Sequence, residues 1–157
     1  MKEYEYSFKV NSLKEYLNYC EKEKYNKIKD VKQTRDLYTN NSGVLARVTI
    51  SKDKDIENII IDFKDEDDSD KILKNTRETL PLNIDKENLK AFYTILDILG
   101  YSQKKHLVRN RIVYEKGKVK FEIDKYSAPE KMNVVAIEGK KSEVDKVYKE
   151  ISSIIGD

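Results

Sequence analysis

The chain has 157 residues, and its 31 basic and 29 acidic side chains give a formal net charge of +2. This balance creates no overall field that would attract nucleic acid or an anionic membrane, so any anion site must be local. The single cysteine excludes an intramolecular disulfide and a cysteine-based metal cluster, and no long apolar run or signal peptide is visible. We therefore expect one cytoplasmic domain over residues 1–157.

Alternating and helical periodicities divide the chain into strands and helices. The stretch EYEYSFKV, residues 3–10, alternates as a strand, and a helix is predicted over 11–24. Strands are predicted over 42–50 and 56–65, a second helix over 85–101 and a hairpin over 107–124 that turns near Gly117. The second helix has Asp85 as its N-cap and Gly100 as its stop, and its predicted buried stripe consists of Leu89, Phe92, Ile95, Leu96 and Leu99. A last strand over 133–139 and a last helix over 142–156 complete the pattern.

Charged residues occupy every second position of several predicted strands. In the hairpin, one face carries Lys118, Lys120, Glu122 and Asp124, and the other carries Val119, Phe121 and Ile123. A sheet with one solvated face and helices on the other explains this alternation. A closed barrel explains it as well, if the charges face inward and balance one another and a bound ion while helices cover the apolar outside.

Short charged motifs recur in a definite order along the chain. EYEYS supplies Glu3 and Glu5, LARVT supplies Arg47, and IDFKD supplies Lys64. Farther along the chain, Arg77 lies in TRE, Arg109 and Arg111 lie in RNRIVY, Asp124 ends GKVKFEID, and Glu138 lies in AIEG. Together with the interleaved helices, this order resembles the CYTH family, the triphosphate tunnel metalloenzymes, from Glu3 to Gly156. That family includes class IV adenylyl cyclases, thiamine triphosphatases and inorganic triphosphatases.

The resemblance implies an α+β fold, in which eight mostly antiparallel strands form a barrel with helices packed on the outside. It implies metal-dependent binding and hydrolysis of an inorganic, nucleoside or thiamine triphosphate inside the barrel, or adenylyl cyclase-like chemistry. The implied substrate-binding residues are Arg47, Lys64, Arg77, Arg109 and Arg111, to which Lys9 is added because it shares a face with the first-strand acids. The implied ligands of Mg²⁺ or Mn²⁺ are Glu3, Glu5, Asp124 and Glu138, with Glu5 and Glu138 as the catalytic residues.

Four positions depart from the family pattern. Ser7 and Thr49 stand where basic residues are expected, and Leu80 and Ala136 stand where acids are expected. Because removing one transition-state charge contact commonly costs orders of magnitude in rate, a polyphosphate- or nucleotide-binding module with impaired catalysis is the alternative. A half-exposed sheet that serves as a protein-interaction domain is a third reading. The expected partner is a small-molecule triphosphate, without nucleic acid or membrane, and the expected state is a monomer or a homodimer.

Overall fold

The computed structural model describes residues 3–65, 73–74 and 79–155. The strands are β1 (Glu3–Val10), β2 (Asn26–Thr39), β3 (Val44–Asp53), β4 (Ile56–Asp65), β5 (Leu73–Lys74), β6 (Leu82–Ile84), β7 (Ser102–Lys116), β8 (Val119–Ala128) and β9 (Met132–Gly139). The helices are α1 (Lys14–Lys22), α2 (Lys86–Ile98) and α3 (Lys141–Ile155). None of these helices has the length and apolar composition that crossing a lipid bilayer requires.

All described strands belong to one antiparallel sheet with the order β5-β1-β9-β8-β7-β2-β3-β4-β6. The predicted α+β class and the antiparallel, barrel-like arrangement are confirmed. Within the described ranges we count nine strands where eight were predicted, because the edge strands β5 and β6 contribute two and three residues. The ladder between these two edges is not closed in the described part of the chain.

Helices cover one face of the sheet in two places. The tyrosines and Cys20 of α1, together with Val144 and Ile151 of α3, pack against the apolar side chains of β7, β8 and β9. Phe92 and Leu96 of α2 pack against a second cluster on β3 and β4. The apolar members of the alternating strands therefore face the helices, as the sequence predicted.

The ends of α2 follow the predicted signals. Asp85 accepts a hydrogen bond from the backbone amide of Asn88 at 2.8 Å, and Gly100 ends the segment with a positive φ of 81°. Ile95 and Leu99 were predicted to belong to the buried stripe, but they are 50% and 60% exposed. This part of the prediction is wrong, because α2 meets the sheet through Phe92 and Leu96.

Strand β2 is absent from the predicted elements, although it lies at the centre of the sheet between β7 and β3. Its sequence NKIKDVKQTRDLYT places polar residues on both faces, so the apolar alternation that identifies a half-buried strand is missing. The backbone amides and carbonyls of β2 form hydrogen bonds with β3 on one side and β7 on the other. Tertiary pairing, which a local pattern does not show, determines this element.

The face of the sheet that points away from the helices, which we call the inner face, is enclosed. Arg109, Asp124 and Gln33 are each 3% exposed, and Thr49 is 6% exposed. Polar side chains buried to this extent without helix cover require the sheet to curve around them. For β2, β3, β7 and β8, this burial favours an enclosed face that carries the charged residues over a flat sheet with a solvated face. On β1, in contrast, Glu5 is exposed.

Candidate anion site on the inner face

Arg111 of the inner face contacts two carboxylates. It lies opposite Asp124 in the ladder between β7 and β8. Its Nε and Nη2 donate to the two carboxylate oxygens of Asp124, each at 2.8 Å, and its Nη1 lies 2.8 Å from Oε2 of Glu122. Burial by itself lowers the pKa of Arg111, but the hydrogen bonds that it donates to Asp124 and the charge of Glu122 raise it overall. Arg111 is therefore charged and locally neutralised.

Arg109 is buried with part of its hydrogen-bonding capacity unused. Its Nε donates to Oε1 of Gln33 at 2.9 Å, and its Nη1 donates to the hydroxyl of Tyr126 at 3.0 Å. Oδ2 of Asp124 is 3.9 Å from the same Nη1. Its Nη2 is buried and has no hydrogen-bond partner in the described part of the chain. A buried, charged donor without an acceptor is costly, so this nitrogen is a candidate contact for an anion.

Two further arginines come from β2 and β3. Nε of Arg35 donates to Oγ1 of Thr49 at 3.0 Å. Arg47 forms a two-point ion pair with Asp62, in which Nε donates to Oδ1 at 2.9 Å and Nη2 contacts Oδ2. Burial, followed by the positive charges of Arg109, Arg111 and Arg47, lowers the pKa of Arg35 to about 10. The four residues Arg35, Arg47, Arg109 and Arg111 thus share one electrostatic environment, and we call them the arginine cluster.

The predicted catalytic acids lie together at a different part of the inner face. Glu5 and Glu138 are cross-strand partners on β1 and β9, and Lys120 is the partner of Glu138 on β8. Burial by itself raises the pKa of Glu122, but its interaction with the neighbouring carboxyl of Glu138 and the charge of Arg111 lower it overall.

Asp124, the fourth predicted metal ligand, lies apart from these acids. It is four residues beyond Lys120 along β8, a distance of roughly 13 Å at strand spacing. Its carboxylate is paired with Arg111. Among the residues that the structure describes, no three Asp, Glu, His or Cys side chains are arranged to hold a metal ion, and the side chain of Glu3 lies outside that description.

The remaining predicted binding residues have different positions. Lys64 follows Asp62 on the same face of β4 and has an interaction partner. Lys9 is exposed and lines a cleft of about 880 Å³ together with Lys32, Lys125 and Lys131. Arg77 lies outside the described residues.

The departures from the family pattern occupy specific places in the sheet. Ser7 and Ala136 are cross-strand partners, so the expected basic and acidic residues are missing from the same point. Thr49 is the cross-strand partner of Arg35, which lies on the neighbouring strand. Leu80 is exposed.

Arg35, Gln33 and Tyr126 belong to the site but were not predicted. Gln33 and Arg35 were missed because β2 itself was missed. Tyr126 continues the alternation of Glu122 and Asp124 along β8, and this period-two spacing was the available signal. Gln33 and Arg35 share one face of β2 with Val31 and Leu37, so no alternation of polar and apolar residues marks them in the sequence.

Comparison with known proteins extends the description of the fold. No family model matches the chain, and no curated protein matches it in sequence. The PH1012 protein of Pyrococcus horikoshii OT3 superposes with a TM-score of 0.72 at 18% identity, over 97% of this chain and 87% of that one. A "putative adenylate cyclase" from Vibrio parahaemolyticus superposes with a TM-score of 0.65 at 11% identity, over 98% of this chain and 86% of that one.

A protein chain of the Schizosaccharomyces pombe Mediator head module also superposes, with a TM-score of 0.65 at 10% identity. The match covers 99% of this chain and 94% of that chain. At these identities the comparisons show a shared fold. They include proteins described as "putative adenylate cyclase" and a component of a large assembly, so the fold alone does not select an activity.

Proposed function

We propose that this chain is a CYTH-like protein that binds a triphosphate on the inner face of its curved sheet. The observation that carries the proposal is the arginine cluster with the buried, unpartnered Nη2 of Arg109. Guanidinium groups bind phosphate oxygens through planar, two-point contacts, and a triphosphate provides many such oxygens. The similarity in fold to a described adenylate cyclase is consistent with a phosphorylated ligand.

The charge balance within the arginine cluster favours an anion. The four arginines contact three carboxylates, those of Asp62, Glu122 and Asp124, which leaves the cluster itself with an excess of positive charge. The pKa of the neighbouring Lys29 is lowered, first by burial and then by the positive charge of Arg111. A bound polyphosphate would supply the missing negative charge and an acceptor for Arg109.

Hydrolysis would require a divalent cation near the phosphates. Mg²⁺ is commonly held by one or two carboxylates together with substrate phosphates, so the facing pair Glu5 and Glu138 fits Mg²⁺ or Mn²⁺ without a third protein ligand. Glu3 is the further candidate ligand from β1. When bound, the ion supplies Lewis-acid polarisation of the phosphoryl group. The arginine cluster would orient the phosphate chain, and a water molecule would be the attacking nucleophile.

A binding module with impaired catalysis is the second candidate. It is favoured by the absence of a three-carboxylate group among the described residues and by the missing pair at Ser7 and Ala136. Both candidates require the arginine cluster to bind an anion, and they differ in turnover.

Thermal stabilisation and phosphate release from a panel of triphosphates, each with Mg²⁺, Mn²⁺ or chelator, test the proposal. The panel contains tripolyphosphate, ATP and thiamine triphosphate, and product analysis includes cyclic AMP. We expect stabilisation by tripolyphosphate and metal-dependent phosphate release that is lost in Glu5→Gln and Glu138→Gln. Stabilisation without turnover would support the binding module. If no triphosphate stabilises the protein under any metal condition, the proposal is wrong.

A further inference from the structure

The four members of the arginine cluster differ in how much of their hydrogen-bonding capacity the protein uses. Arg111 contacts two carboxylates, and Arg47 forms a two-point ion pair with Asp62. Arg109 has one buried terminal nitrogen without a partner. Arg35 makes one hydrogen bond, from Nε to Thr49, and no ion pair in the described part of the chain. Arg35 and Arg109 therefore retain donors that a ligand can use.

Arg35 and Arg109 are close enough to act together. Arg109 is the cross-strand partner of Gln33, and Arg35 is two residues beyond Gln33 on the same face of β2. Diagonal neighbours of this kind are roughly 7–8 Å apart at the backbone, within reach of two long side chains. Gln33 lies between them and fixes Nε of Arg109 at 2.9 Å.

We propose that Arg35 and Arg109 form the anion-contacting pair of the site, with Arg35 as a direct ligand-binding residue, whereas Arg47 and Arg111 hold the carboxylates of the inner face. This inference rests on the proposed function. It reassigns the expected roles of Arg47 and Arg111, and it gives a binding role to a residue of β2 that no sequence motif indicated.

The position of Arg35 opposite Thr49 provides a specific mechanism. Cross-strand partners project from the same face, so a guanidinium at position 35 and one at position 49 extend into the same space. The cation that the family pattern has at position 49 is thus supplied from the neighbouring strand. Exchanging the two side chains should then preserve the site.

If Arg35 binds a ligand and does not stabilise the fold, its replacement should also change the melting temperature of the free protein. Arg35 is largely removed from solvent, and the like charges of the other three arginines outweigh the attraction of Asp62. It forms no ion pair in the described part of the chain, so its charge opposes folding. Arg35→Gln should raise the melting temperature of the free protein while it weakens anion binding. A purely structural arginine would lower the melting temperature when replaced.

Calorimetric titration of tripolyphosphate into the wild type, Arg35→Thr and the exchange variant Arg35→Thr/Thr49→Arg tests the inference. We expect the affinity to fall about tenfold or more in Arg35→Thr and to recover to within about threefold of the wild type in the exchange variant. Lys32→Gln, which removes a positive charge from the opposite face of β2, is the matched control and should change the affinity less than about twofold.

The outcomes separate this inference from the proposed function. If the wild type binds tripolyphosphate and Arg35→Thr binds it equally well, Arg35 is not a ligand-binding residue, while the proposed function stands. The same conclusion follows if Arg35→Thr and Lys32→Gln weaken binding equally, because net charge then explains the loss. If the wild type itself does not bind, both proposals are overturned.

Discussion

Ser7 and Ala136 lie opposite each other in the ladder between β1 and β9, where the family pattern has a basic and an acidic residue. Both charges are thus missing from one point, and the net charge of the inner face is preserved. Ser7 is exposed, whereas Ala136 is buried and has Glu122 as its partner on β8. An acid restored at position 136 would therefore depend on a base restored at position 7.

Ala136→Glu alone should destabilise the protein by about 3 kcal/mol, because it buries a carboxylate next to Glu122 without a counter-ion. Ser7→Lys alone should change stability by less than about 1 kcal/mol, since the position is exposed. The double variant should recover at least about 1 kcal/mol of the loss. Urea unfolding of the four proteins measures this coupling. Strictly additive effects would show that the two positions do not form a pair.

Arg111 should be essential to stability in the free protein. Arg111→Gln leaves Asp124 and Glu122 without their closest counter-ion, and we expect a loss of about 3 kcal/mol in the free energy of unfolding. Arg111→Lys keeps the charge but loses the two-point contact, so its loss should be smaller. Thermal and urea unfolding measure both variants. Equal stability of Arg111→Gln and the wild type would contradict the structural role given to Arg111.

Gly139 is required by a close backbone contact at the end of β9. Its φ is +148°, and a Cβ at this position would overlap the carbonyl oxygen of Lys118. Gly139→Ala should therefore cost about 2–3 kcal/mol through combined strain and overlap. Gly43→Ala is the matched control, because Gly43 has a positive φ of 77° but open space around it. Its cost should be about 1 kcal/mol, and equal costs would rule out the overlap.

Stability should fall as the pH rises above about 9. Burial raises the pKa of Cys20 from 9.0 to about 12 and that of Tyr25 from 10.0 to about 12. Because both folded-state values exceed the unfolded ones, the folded state retains protons that the unfolded state releases. The associated stability is complete below pH 9 and is lost progressively up to about pH 12.

Urea unfolding at pH 8, 9, 10 and 11 measures this dependence. Each proton difference contributes a slope of up to about 1.4 kcal/mol per pH unit. Cys20→Ala removes the contribution of the thiol, so the slope between pH 9 and 10 should be smaller in this variant even though its stability is lower throughout. Identical slopes in the two proteins would show that the thiol does not contribute.

Local sequence patterns predicted the elements whose two faces differ. β1, β3, β4, β7, β8 and β9 alternate apolar and polar residues, and the three helices have periodic apolar positions that pack on the sheet. The partners Arg111 and Asp124 follow from the hairpin register, because Gly117 fixes the turn. For these elements, burial alone determines the alternation.

The arginine cluster could be predicted only in part, because its geometry depends on strands distant in sequence. β2 has polar residues on both faces and is held by β3 and β7, so Arg35 carried no local signal. The separation of Asp124 from Glu138 likewise depends on the register between β8 and β9. Arg47 and Arg111 pair with carboxylates, whereas Arg35 and Arg109 retain donors that a ligand can use. This difference depends on side-chain contacts, which the spacing of residues in the sequence does not specify.

Titration calorimetry with tripolyphosphate in metal-free buffer tests the central claim most directly, with the wild type compared with Arg109→Gln and Arg109→Lys. Circular dichroism verifies that each variant is folded. The account predicts saturable binding to the wild type that is tighter than binding of orthophosphate. It predicts a loss of about tenfold or more in Arg109→Gln, with partial retention in Arg109→Lys. Absence of saturable binding, or equal affinity in the folded Arg109→Gln protein, would contradict an anion site on the inner face.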